Sequence, residues 1–185
     1  TIIGGMPAAV KSFLKKSDIL ETQNIQSSLL NTYRNDFGKY SSKTNHKYLQ
    51  MVYEKAPYLI SQHIKYSKIN PDSRAKDLKQ ALESLKNAGL ISPVYSTSAS
   101  GIPLNALENR KKFKLLFLDI GLVNRASKVD ILSLMNTDLD LINSGALTEQ
   151  FVGQELLAYQ NCFDEAQVHF WQREARGSLA EVDYI

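Results

Sequence analysis

The residues best placed for chemistry are three carboxylates near the C-terminal end. The stretch WQREARGSLAEVDYI, residues 171–185, alternates apolar and polar side chains on either side of a Gly-Ser pair, which predicts a β-hairpin. Alternation puts Leu179, Glu181, Asp183 and Ile185 on one face of its second arm and Ala180, Val182 and Tyr184 on the other. At a rise of about 3.3–3.4 Å per residue, the Cα atoms of the two acids lie about 7 Å apart. Upstream, a helix is predicted to start near Ala146, and Glu149 shares its face with Val152, Gly153 and Leu156. A carboxylate on an apolar stripe needs a cation, hydrogen-bond donors or a proton. Alternatively, Glu149 sits in the first turn, is favoured there by the helix dipole and leans into solvent. Acids from a strand and a neighbouring helix can converge on a divalent ion that activates water against a phosphodiester. The plainer alternative is a strand face carrying two solvated acids.

Other chemistries are excluded by residue type and spacing. Cys162 is the single cysteine of the 185 residues and has no internal disulfide partner. His46, His63 and His169 are too scattered for metal-ligand spacing, which rules out structural zinc. No GxxxxGK[ST] occurs, and GGMPAAVK lacks both its spacing and the residue after lysine, so no nucleotide cofactor is expected on this chain. There is no apolar run of about eighteen residues and no signal-peptide pattern at TIIGGMPAAVKSF, which predicts a cytoplasmic protein with no membrane partner.

The formal charge of +3 conceals a division along the chain. Residues 1–128 hold 20 Lys and Arg against 9 Asp and Glu; residues 129–185 hold 2 against 10. A basic front segment suits nucleic acid or an acidic partner, and an acidic tail suits pairing with it or holding a cation. An ordinary solvated surface with an uneven count is the alternative.

The elements that must position these groups follow from periodicity. PAAVKSFLKK, residues 7–16, reads as a short helix with a cationic last turn. Ile25, Leu29, Tyr33 and Phe37 are four apart and predict a second helix, with Ser17 as N-cap, Asp18 in the first turn and Gly38 at the end. Residues 41–45 form a polar boundary, and residues 46–62 restart a helix that Pro57 divides or kinks. HIKYSKI, residues 63–69, reads as a minor strand. Residues 73–90 give a strong amphipathic helix with Leu78, Leu82, Leu85, Ala75 and Ala81 on its buried stripe and Gly89 as C-cap. LISPVYSTS and FKLLFLDIGLV are strands around a long loop, and the second runs into a helix at Asp119 or Ile120. Residues 131–161 suggest two helices broken at Ser144-Gly145.

Helix, small strand, helix and ribbon is the order of a winged helix-turn-helix. In that fold the helix before the ribbon enters a DNA groove and the loop is the wing. Arg74, Lys76 and Lys79 on that helix, with Arg110, Lys111 and Lys112 at the wing, are the expected phosphate contacts. Winged helices also dock proteins or mediate oligomerisation, and a basic amphipathic helix can be no more than amphipathic.

GGMPAAV, YRNDFGKY, RAKDLKQALESLKNAGLI, FKLLFLDIGLV, GALTEQFVGQELL and FWQREARGSLAEVDYI, in that order, resemble the C-terminal half of a family of prokaryotic AAA-type ATP-binding proteins. The resemblance covers almost the whole chain. It implies an α+β, mainly helical protein: residues 1–41 adjoining an ATPase lid, a winged helix over 42–128, and over 129–185 the start of a restriction-endonuclease-like fold. It matches Glu149 to that fold's helix acid and Asp183 to its strand aspartate, a metal ligand only where the domain is complete. The family continues into a Glu-x-Lys strand whose glutamate shares the metal, and this sequence ends at Ile185 before one. The resemblance therefore implies a fragment that neither hydrolyses ATP nor cuts DNA alone. ATP and magnesium belong to the full-length protein, whose N-terminal ATPase module is the expected partner, together with DNA. The expected role is a nucleic-acid or partner-binding appendage. The alternatives are a metal-dependent nuclease in the full-length chain and a docking or oligomerisation unit.

Overall fold

Pro7 at the first helical position opens α1 (Pro7–Lys16), which closes where Ser17 turns left-handed and donates its backbone N–H to the Phe13 carbonyl at 2.7 Å. The chain is described here from a computed structural model covering residues 3–40, 43–128, 144–164, 166–175 and 178–185. Asp18, rather than Ser17, caps α2 (Ile19–Tyr40): its Oδ1 accepts the Glu21 N–H at 3.1 Å. Ser17 is spent on ending α1, and a carboxylate suits the positive end of the following helix. Gly38 does not stop α2, which continues to Tyr40 with Phe37 buried.

Helix α3 (Lys43–Lys55) gives way to a 3₁₀ turn over Ala56–Tyr58, as the missing N–H of Pro57 requires. The segment 63–69 is only briefly a strand. Ile64 makes one antiparallel bridge to Phe113, its N–H reaching the Phe113 carbonyl at 2.8 Å, and the chain then coils into the single turn α4 (Tyr66–Ile69). That turn buries Ile69 completely and packs the Tyr66 ring 5.5 Å from Phe113, which an extended strand would not do with side chains three apart. In α5 (Ala75–Asn87), Leu78, Ala81, Leu82 and Leu85 are all buried, as the stripe predicts.

Strands β1 (Ile91–Thr97) and β2 (Glu108–Phe117) pair antiparallel around a loop that contains a 3₁₀ turn over Leu104–Leu107. After α6 (Ile120–Ala126) and α7 (Ser144–Ala158) come β3 (His169–Ala175) and β4 (Ser178–Val182), an antiparallel pair. The predicted hairpin is therefore present. Because β3 pairs parallel with β1, all four strands form one mixed sheet in the order β2-β1-β3-β4. The fold is mixed α+β.

Strand alternation divides the core. Phe113, Leu115 and Phe117 join Val52, Tyr53, Leu82 and Leu122 in the larger cluster, while Leu116 turns the other way to meet Val94, Val168 and Phe170. Both faces of β2 are covered here. Lys114 shares the period-two face of Leu116 and is carried inward with it.

The N-terminal Gly-Gly is joined to α6 by a buried carboxylate. Asp119 caps α6 through Oδ1, which accepts the Leu122 N–H at 3.0 Å, while its Oδ2 accepts the Gly5 N–H at 2.6 Å. Close approach excludes side chains nearby: a Cβ on Gly121 would stand 2.2 Å from the Ile3 carbonyl oxygen and 2.8 Å from Gln26 Nε2, which itself donates to that carbonyl at 2.8 Å. The obstacle is backbone and cannot rotate away. Gly121→Ala is expected to destabilise the fold by about 1–3 kcal/mol as an overpacked site, read as a lowered urea midpoint with an unchanged slope.

Candidate functional site

Glu149, Glu181 and Asp183 do come together, and a lysine stands where they meet. Lys114 Nζ lies 3.0 Å from Glu149 Oε1 and 2.9 Å from Asp183 Oδ1, and also pairs with Glu181. Three elements converge on one ammonium: β2 brings the lysine, α7 brings Glu149, and β4 with the residues after it brings the other two acids. The Lys114 side chain is 4% exposed, against 57% for Asp183. The ammonium also lies 5.3 Å from the centre of the Phe170 ring.

Local folding explains each placement. Glu181 and Asp183 share a face, as alternation predicts, although β4 ends at Val182. Ile185 then exchanges both backbone hydrogen bonds with His169, where the Trp171–Val182 register would place Tyr184. The extra residue is a bulge, and bulges re-aim side chains. Tyr184 consequently reaches α7, where its hydroxyl donates to the Glu149 carbonyl at 2.8 Å. Burial, helped by the nearby Glu149 and Asp183 charges, pushes the Tyr184 phenol well above its ordinary pKa of 10.0 and keeps it a donor.

Helix α7 is seated by its glutamines. Gln150, fully buried, accepts the Phe117 N–H at 2.9 Å and donates to the Phe117 carbonyl at 2.8 Å, so a side-chain amide completes the open edge of β2. Gln154 accepts the Ile120 N–H at 2.9 Å. This docking turns Gly153 inward and leaves Val152 and Leu156 41% and 40% exposed, so the apolar stripe expected around Glu149 is only partly buried.

Two residues of the segment before α4 complete the site. Ser61 hydrogen-bonds Glu149 through its hydroxyl. His63 Nε2 lies 3.1 Å from Glu181 Oε2, and its ring packs edge-on against Phe170 with centroids 5.1 Å apart. Burial by itself would lower the Lys114 pKa, but the hydrogen bonds with Glu181, Asp183 and Glu149 outweigh it and raise it above its ordinary 10.5. Burial likewise pushes Glu181 upward, and Lys114 and His63 more than reverse this, holding its carboxyl below 4.5.

Periodicity did not single out Lys114, Ser61 or His63 for this role. A lysine at the second position of FKLLF was the available signal, since an ammonium inside an apolar strand needs counter-charges. The other expected site residues lie elsewhere. Arg74, Lys76 and Lys79 are exposed at the start of α5. Arg110, Lys111 and Lys112 belong to the exposed first half of β2 rather than to the loop, and Arg110 is held by Glu108 at 2.5 Å and lies 5.5 Å over the Tyr95 ring.

A family model described as Domain of unknown function (DUF8612) matches residues 1–133. The chain belongs to this family. Within the DUF8612 span lie Ser61, His63 and Lys114; Glu149, Glu181 and Asp183 lie after it. Neither the curated proteins nor the solved structures searched give a match.

The geometry makes the cluster a charged clamp. Among the described residues, no group of three His, Cys, Asp or Glu side chains could hold a metal ion. One oxygen of each of Glu149, Glu181 and Asp183 is turned to Lys114. Removing the ammonium by Lys114→Met should destabilise the fold by about 3 kcal/mol, the low end of the ~3–5 expected for breaking a buried pair. The low end applies because Asp183 can rehydrate; urea unfolding measures it. For Glu181, a lowered folded pKa means a contribution fully present above pH 4.5 and lost as pH falls through the folded value. Glu181→Gln should therefore flatten the loss of stability below pH 4.5 seen in acid unfolding of the parent.

Proposed function

We propose that the chain is a non-catalytic nucleic-acid-binding unit built on a winged-helix arrangement, with a nuclease-like corner whose carboxylates serve as a clamp. Support for the winged helix comes from element order: α3, the Ile64 bridge to β2, α4, α5 and the β1–β2 ribbon follow one another as in that motif. The observation that carries the binding reading is the division of α5. Its apolar stripe is sunk in the core, while Arg74, Lys76 and Lys79 are exposed and make no ion pair among the described residues. Three unpaired cations at the start of a packed helix cost nothing in water and gain when phosphate releases its counterions.

The resemblance to AAA-type ATP-binding proteins adds an ATPase module whose state would orient this unit. Leu14 and Leu20, 78% and 67% exposed on α1 and α2, offer an apolar surface against which such a module would rest. That is the region the resemblance assigns to the lid.

A metal-dependent nuclease is the second reading, favoured by the meeting of Glu149 and Asp183. Their commitment to Lys114 argues against it. A divalent ion would have to displace a buried ammonium.

Binding of a labelled 20-base-pair duplex, followed by fluorescence anisotropy across a salt series, tests the proposal. The expected result is affinity that falls linearly in log–log form with salt and drops about tenfold or more in Lys76→Glu/Lys79→Glu. Absence of binding, or binding indifferent to both salt and charge reversal, would overturn it.

A further inference from the structure

We infer that the phosphate backbone of a bound nucleic acid runs in the groove between α4 and the start of β2, gripped by Lys65, Lys68 and Lys111. This deepens the nucleic-acid-binding reading, on which it rests, and places the main electrostatic contact away from α5. The groove has a volume of about 510 Å³ and extends from His63 along α4, with Gln172 of β3 on its far wall. It forms because the Ile64–Phe113 bridge lays the segment before α4 against β2, which sets Lys65 beside Lys111 and Lys112.

Charge distinguishes this groove from α5. Helix α5 interleaves its cations with Asp77 and Glu83, whereas among the described residues no aspartate or glutamate lines the groove. Lys65, Lys68 and Lys111 are exposed, and their ammonium groups make no ion pair among the described residues. Concentrated charge of one sign attracts a polyanion more strongly than the same charge diluted by acids.

The chemistry of the lining defines the ligand. All four cations are lysines, compact point charges on flexible stems that accept phosphate without the fork geometry with which arginine matches a carboxylate. Among the described residues, no Phe, Tyr or Trp lines the groove to stack a base. The ligand is accordingly a backbone, read without regard to sequence. Its path ends at His63, whose Nε2 already meets Glu181 at 3.1 Å. Beyond that point three carboxylates face the single ammonium of Lys114, and surplus negative charge repels phosphate. The acidic clamp thus sets the limit of the track.

The test compares the parent chain with Lys65→Glu/Lys68→Glu and Lys76→Glu/Lys79→Glu, using labelled 20-nucleotide single strands and 20-base-pair duplexes across a salt series. The groove variant is expected to lose about tenfold or more in affinity for every sequence. Its duplex salt slope should fall by about two, at about 0.9 per lost phosphate contact. Both positions are exposed, and Lys65→Gln/Lys68→Gln should show a smaller loss in the same direction with an unchanged melting temperature. If the parent binds and the α5 variant loses affinity while the groove variant stays within twofold, the groove assignment is overturned and the nucleic-acid reading survives. If the parent binds neither nucleic acid, both fail together. Competition by polyglutamate as effective as by DNA of equal charge would make the groove a surface for acidic protein and overturn the assignment.

Discussion

An ammonium buried among apolar side chains cannot remain charged without counter-charges, and satisfying Lys114 organises the rest of this molecule. Its strand, β2, lies between two cores, so period-two alternation delivers Lys114 to the face where Leu116 meets Val94 and Phe170. Helix α7 supplies one carboxylate, the end of the hairpin supplies two more, and the Ser61–His63 segment secures the outer oxygens of Glu149 and Glu181. Elements separated by more than a hundred residues are thereby held at one point.

The clamp also separates two electrostatic territories. Cations of the first 128 residues outnumber acids there by 20 to 9, and those lining the α4–β2 groove and starting α5 lie exposed. The acids of the last segment that are described around Lys114 turn toward a cation from the front segment. Opposite charges divided along the sequence meet in space at this contact, which lowers the cost of burying each.

Pairing with lysine is the feature that sets the geometry of the acids. A helix glutamate and an aspartate just beyond β4 are brought within reach of one point, and the Lys114 ammonium stands there. Gln150 and Gln154 fasten α7, the helix that carries Glu149, to β2 and α6 through hydrogen bonds to backbone groups. A corner fastened in this way is a joint between elements.

The sequence by itself determined the local periodicities. The buried stripe of α5, the Gly-Ser hairpin, the shared face of Glu181 and Asp183, and Asp119 at the start of α6 were legible because each depends on neighbours a few residues away. It also marked the charge division and the absence of a P-loop. Only the tertiary structure decided that 63–69 is a bridge and a helical turn, that Arg110–Lys112 belong to a strand, and that β3 joins β1 to make one sheet. It alone brought Lys114 to Glu149 and Asp183 and made Gln150 an edge for Phe117. These outcomes rest on contacts between distant residues, where burial of Ile69 or the need of an ammonium for counter-charge outweighs local preference, and no window of neighbouring residues carries that information.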